Sequence, residues 1–226
     1  MGTLTDAQIA DRELRAAVKK ELDWCPEVDT AHIMIGVTDS VVELSGDVPS
    51  LPQVRHATRA ALNVKGVSAV ANDLSVHVPY QSARPDREIA KAVRDALHWD
   101  SIVPRDCVKV AVSDRVVTLT GQVDYNFQRE EAEKVATRTV GVRSVDDQVT
   151  LPHRPVVADA VERIREAFER SALLDAEGVQ VSVVGNEVIL RGTVYSWAEK
   201  ADAGRAAWST PHVTDVRNLL DVRSVR

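Results

Sequence analysis

The sequence predicts an α+β fold: three tandem αββαβ modules, each a three-stranded mixed sheet packed on one face by two helices. Internal repetition is the first observation. Val41-Val42-Glu43-Leu44-Ser45-Gly46-Asp47-Val48 aligns with Val116-Val117-Thr118-Leu119-Thr120-Gly121-Gln122-Val123 at an offset of 75, and with Glu187-Val188-Ile189-Leu190-Arg191-Gly192-Thr193-Val194 at a further 71. The second is apolar periodicity. Leu14, Val18 and Leu22 map onto Ile89, Val93 and Leu97, then onto Ala160, Ile164 and Phe168, at the spacing of four that marks a helix face. The third is a period of two, in which Ile33, Ile35 and Val37 recur as Val108, Val110 and Val112 and as Val179, Val181 and Val183.

Each element follows in turn. First helices are expected near 11–24, 86–99 and 157–171. Two β-branched strands come next, joined at Asp39-Ser40, Asp114-Arg115 and Gly185-Asn186, which read as two-residue hairpin turns. Of these the Gly-Asn pair suits positive φ best. Second helices follow near 52–64, 127–139 and 198–209, with small inner faces: Ala57 and Ala61, Ala132 and Ala136, Ala203 and Ala207. A last strand closes each unit, carrying Val70 and Leu74, Val145 and Val149, Val216 and Leu220. The crossover through the second helix makes that strand parallel to the one before it. Gly46, Gly121 and Gly192 read as structural glycines that admit a close backbone approach, expected from the alanine helix face. The modules are placed at 8–78, 84–151 and 155–224, separated by the Pro79–Pro85 and Pro152–Pro155 spacers, whose prolines favour stiff, extended chain.

The hairpin ending Val-x-Leu-x-Gly-x-Val, the alanine-rich helix, and the tails Gly66-Val67-Ser68-Ala69-Val70 and Gly141-Val142-Arg143-Ser144-Val145 resemble the BON domain, the bacterial OsmY and nodulation domain. Gly66 and Gly141 are the structural glycines of that tail. The third copy reads His212-Val213-Thr214-Asp215-Val216, lacks the glycine, and is expected to turn differently. The resemblance implies a non-catalytic protein of the bacterial envelope and of osmotic or general stress, one that associates with phospholipid surfaces. The alternative it leaves open is a soluble scaffold or chaperone-like array that binds protein partners.

Composition narrows the classes further. Net charge is −6 and aromatics are 4%, which excludes generic nucleic-acid binding and an aromatic single-strand groove. No apolar run is long enough to span a bilayer. Cys25 and Cys107 stand alone, with neither a disulfide framework nor metal-ligand spacing. The start at Met1 shows no leader, so the expected location is cytoplasmic, or periplasmic if a leader has been removed. The six histidines form no ligand pair, and HExxH, GxSxG, Walker A, GxGxxG and GxxG are all missing. The expectation is therefore no enzyme, no metal and no cofactor. Glu130, Glu131 and Glu133 read as a solvated helix face.

The informative pattern lies on the first helices. Arg84, Arg87, Lys91 and Arg94 are spaced 3, 4 and 3, opposite Ile89, Val93 and Leu97, with His98 continuing the stripe. Arg12, Arg15 and Lys19 repeat the spacing in the first copy. In the third, Ala158, Glu162 and Glu166 break it. This stripe is the candidate contact for an anionic partner, either phospholipid headgroups or an acidic patch on an envelope protein. Trp24 and Trp99 are equivalent by repeat and are expected to pack. Trp197 and Trp208 are each candidates either for an exposed anchor to a partner or for docking the third copy on the second, and Trp197, equivalent to Leu51 and Asn126, is the better candidate for the exposed contact.

Overall fold

A computed structural model describes residues 6–77, 84–154, 156, 159–171 and 178–223. The spacer positions 78–83, Pro155, and positions 157–158 with Ala158 lie outside the described residues. The first copy holds α1 (Asp6–Trp24), β1 (Ile33–Thr38), β2 (Val41–Val48), α2 (Leu51–Asn63) and β3 (Ala69–Val76). The second holds α3 (Asp86–Trp99), β4 (Val108–Ser113), β5 (Val116–Gln122), α4 (Asn126–Arg138) and β6 (Ser144–Thr150). The third holds α5 (Ala160–Arg170), β7 (Val179–Val184), β8 (Glu187–Val194), α6 (Trp197–Trp208) and β9 (Asp215–Val222). The expected fold class is the observed one: three mixed sheets, ordered β1-β2-β3, β4-β5-β6 and β7-β8-β9.

The chain forms two compact units by contact. One comprises Met1–Ala96, Val110–Thr118 and Lys134–Asp146; the other comprises Leu97–Lys109, Leu119–Glu133 and Asp147–Arg226. In the first unit, β1 runs antiparallel to β2, with Ile35 opposite Leu44, and β3 runs parallel to β2, with Val42 beside Val70. Val18 and Leu22 of α1, Val42 and Leu44 of β2, and Ala57 and Ala61 of α2 are fully buried together. The second unit repeats this in the third copy, where Ile164, Phe168, Val188, Leu190, Ala203 and Ala207 close the core. Alanine on the second helix lets its backbone lie close to the sheet, while the longer side chains of the first helix fill the remaining space.

Three backbone details correct the expectations. Gly46, Gly121 and Gly192 have φ of +113°, +139° and +126°. A Cβ on each would stand 2.0 Å from the carbonyl oxygen of His32, Cys107 or Gly178. The close approach is real, but it comes from the residue that leads into the first strand, not from the alanine helix. Second, the hairpin tips Asp39-Ser40 and Asp114-Arg115 take positive φ without glycine, at 50° and 64° and at 49° and 63°. A carboxylate compensates the strain: Asp11 accepts from the amides of Asp39 and Ser40 at 3.0 and 3.1 Å, and Asp86 accepts from Asp114 and Arg115 at 2.8 and 3.0 Å. Third, His212 adopts φ of 67°, the same left-handed turn that Gly66 and Gly141 make at +98°. The turn bond is kept, from Val67 to Val64, Val142 to Thr139 and Val213 to Thr210. The third copy therefore turns as the others do, with the His212 carbonyl accepting from Asn186 Nδ2 at 2.6 Å.

Candidate functional site

The candidate surface is built by burial on the other side of the helix. Ile89, Val93 and Leu97 face the interior, which turns Arg87, Lys91 and Arg94 outward, and Arg84 just ahead of α3 is exposed as well. The Asp86 carboxylate is held by the amides of the hairpin tip. Arg94 is chelated by its neighbour Asp95, with Nη2 at 2.8 Å. Arg84, Arg87 and Lys91 have no acidic partner among the described residues. Three uncompensated cations along one exposed helical edge attract anions, and repel one another when none is present.

The α1 face is weaker. Arg12 and Arg15 are exposed, but Lys19 pairs with Asp23 at 2.8 Å. The hydrogen bond from Lys19, followed by one from the Thr30 hydroxyl, holds the Asp23 carboxyl below its ordinary pKa. Helix α5 neutralises itself: Arg163 pairs with Asp159 at 2.8 Å and Arg170 with Glu166 at 3.6 Å. The carboxyl of Asp159 is likewise held low, chiefly by its bond from Arg163.

The tryptophans differ from expectation. Trp24 and Trp99 do not pack: they are 84% and 79% exposed, at the C-terminal ends of α1 and α3. The apolar positions of each helix are already filled by the Leu and Val row one turn earlier, and each indole lies past the last buried residue, Leu22 or Leu97. Trp99 forms a T-shaped contact with His98, at 5.4 Å between ring centroids. Trp197 is half-buried, with Lys200 Nζ 5.2 Å from its ring centroid. Trp208 is half-buried against the third core, with the Arg129 guanidinium 5.1 Å from its ring centroid. The second and third copies meet at this contact, within one compact unit.

One feature escaped sequence reasoning. The start of β4 and the end of β5 are joined by the bond from Gln122 N to Cys107 O at 3.3 Å. The loop after α3 and the loop before α4 thus leave the sheet at the same end. Trp99 and Ile102 are exposed at and after the end of α3, as are Tyr125 and Phe127 at the start of α4, and the last two rings stack at 5.5 Å. The available signal was a departure from the repeat: Tyr125-Asn126-Phe127 stands where the other copies have Ser50-Leu51-Pro52 and Ser196-Trp197-Ala198. Among the described residues no His, Cys, Asp and Glu cluster is arranged to hold a metal, and no helix is long and apolar enough to cross a membrane.

Comparison with known proteins agrees with the repeat. The family model for the BON domain matches residues 10–77, 85–152 and 157–224. The chain is 32% identical over 143 residues to Osmotically-inducible protein Y of Escherichia coli (strain K12), covering 62% of this chain and 71% of that protein. Among solved structures it is similar to CdsD, a structural protein of the type III secretion system of Chlamydia trachomatis, at 10% identity and TM-score 0.27, with 95% of this chain and 94% of that one covered. A C-terminal domain of the same protein gives 11% identity and TM-score 0.26, covering 93% and 98%. The expected cytoplasmic location is corrected: the similarity to Osmotically-inducible protein Y overturns it.

Proposed function

The chain belongs to the BON-domain family, in three tandem copies, and from that premise we propose that it is a non-catalytic binding protein that docks peripherally on anionic phospholipid surfaces. Helix α3 is the principal contact. The observation that carries this is the 79% exposure of Trp99 at the end of a helix whose Arg87 and Lys91 are exposed and unpaired among the described residues. Basic side chains near an anionic bilayer contribute on the order of 1 kcal/mol each. An interfacial indole adds apolar burial at the headgroup boundary. Ile102, Tyr125 and Phe127 give the second copy more such surface than Trp24 gives the first. Arg12 and Arg15 of α1 supply a weaker second contact, and tandem linkage raises its effective concentration.

Sedimentation with phosphatidylglycerol-containing and purely zwitterionic vesicles, at low and physiological salt, tests this reading. Wild type should sediment with the anionic vesicles and release as salt rises. Arg87→Glu/Lys91→Glu should weaken that binding at least tenfold, by roughly 1 kcal/mol per altered site, and Trp99→Ala should weaken it less. Equal binding to both vesicle types, or none by wild type, would discard the proposal.

A further inference from the structure

A second basic site lies on different helices. Within the first compact unit, α2 and the end of α4 approach each other, and Arg55 Nη1 donates to Thr137 Oγ1 at 3.4 Å. Between them opens a cleft of about 370 Å³, whose walls carry Arg55, His56 and Arg59 from α2 and Lys134 and Arg138 from α4. Its remaining lining is Pro52 and Thr137, and the Glu27 carboxylate lies 3.3 Å from His56 Nδ1. Arg59 and Arg138 are exposed and have no acidic partner among the described residues.

Cations crowd along both helices. Arg55 and Arg59, and Lys134 and Arg138, are like-charged pairs at i, i+4, which destabilise a helix, and the fold sets the two pairs across one cavity. The chain is acidic overall, at −6, so the concentration of cations is local and not compositional. The negative end of the helix dipole accounts for Arg138 in the last turn of α4, but not for the convergence of both helices' cations on one space. Guanidinium forks recognise phosphate oxygens with two parallel hydrogen bonds, and a Lys adds a point charge.

We propose that this cleft binds a compact, multiply charged phosphate group, such as a diphosphate or phosphomonoester. Its volume lies at the small end of ligand sites, in the range of a phosphorylated small molecule and not of a polymer. The group is carried either by a soluble oligophosphate or by a lipid headgroup. The site shares no residue with the α1 and α3 faces, so it stands whether or not those faces meet a membrane.

Titration calorimetry of the full chain with inorganic pyrophosphate at physiological salt tests the soluble source. Vesicles with phosphatidic acid in a zwitterionic background test the headgroup. We expect saturable binding that raises the melting midpoint and weakens at least tenfold in Arg59→Ala/Arg138→Ala. Arg87→Glu/Lys91→Glu should retain the pyrophosphate binding. The Arg59→Ala/Arg138→Ala protein should melt no lower than wild type without ligand, since it loses like-charge repulsion. Pyrophosphate binding assigns a soluble ligand. With pyrophosphate silent, residual binding of Arg87→Glu/Lys91→Glu to phosphatidic acid vesicles that is lost when Arg59→Ala/Arg138→Ala is added assigns the headgroup. No saturable binding in either arm, or binding indifferent to the loss of Arg59 and Arg138, overturns the proposal.

Discussion

In the first copy the hairpin tip Asp39-Ser40 hangs on the Asp11 carboxylate, and the later turn is made by Gly66. In the third copy the tip is Gly185-Asn186, position 157 is a valine with no carboxylate to offer, and the later turn is made by His212. Asn186 serves there as a brace, donating to the carbonyls of Arg154 and His212. Both copies keep the bond from the residue after the turn to the hairpin tip: Ser68 to Ser40 and Thr214 to Asn186, each at 2.9 Å. Glycine thus moves from one turn to the other, and the polar anchor moves with it. The backbone path is the shared requirement, and the residues that stabilise it are interchangeable as sets.

Surface chemistry is freer still. A cleft of about 640 Å³ in the third copy is bordered by Asp159, Glu162, Arg163, Glu166 and Arg170, which pair among themselves as Arg163–Asp159 and Arg170–Glu166. The cleft between α2 and α4 is smaller and carries only bases as charged groups. Equivalent modules therefore pair their surface charge differently, and in the smaller cleft Arg59 and Arg138 have no acidic partner among the described residues.

The largest effect should fall where the copies do not differ. Gly46→Ala and Gly192→Ala each put a Cβ 2.0 Å from a backbone carbonyl, in a conformation that L residues rarely adopt. Either should cost about 3 kcal/mol, read as a lowered urea midpoint. Tolerance of one substitution but not the other would break the equivalence of the copies at this position.

Next come the anchors. Asp11→Ala removes two hydrogen bonds from a left-handed non-glycine tip and should cost about 2 kcal/mol. Amide exchange at Asp39 and Ser40 should accelerate. Asn186→Ala removes side-chain donors from the turn opposite and should cost about 1 kcal/mol. His212→Gly should stabilise by about 0.5–1 kcal/mol, because glycine takes positive φ without a Cβ penalty. Gly66→Ala should do the reverse. A destabilising His212→Gly would show that the imidazole has a role of its own in the third copy.

These anchors also show what was legible in the sequence. Element order, the hairpin positions and the alanine faces follow from periods of two and four, which are local and repeated three times. Asp11 and Asp39 are 28 residues apart, and no local pattern announces that one caps the other. Repetition of a large residue predicts packing, whereas the exposed Trp24 and Trp99 follow the last core position of their helices. The cation stripes were visible because one helix carries each. The cleft was not, since Arg55 and Thr137 are 82 residues apart and only tertiary packing joins them.

The smallest predicted effect concerns one joint seen in both copies. Position 25 in the first copy maps to 171 in the third, and 56 maps to 202. Cys25 Sγ and His56 Nδ1 lie 3.8 and 3.3 Å from the same Glu27 oxygen. In the third copy the Ser171 hydroxyl donates directly to Asp202, which also accepts from Arg205 at 2.6 Å. The Ser171 bond is the larger reason that the Asp202 carboxyl stays below its ordinary pKa, with Arg205 second among the lowering partners. A depressed carboxylate contributes stability above the unfolded-state pKa and loses it as pH falls through the lower folded-state value. Ser171→Ala should therefore cost a few tenths to about 1 kcal/mol at neutral pH, the low end reflecting solvent access to the pair. The difference from wild type should shrink as pH falls below about 3.9. Thermal midpoints of the two proteins at pH 7 and pH 3 measure this directly. A difference that persists undiminished at pH 3 would mean that Ser171 contributes through helix termination, where its amide bonds the Phe168 carbonyl at 3.0 Å, and not through the carboxylate.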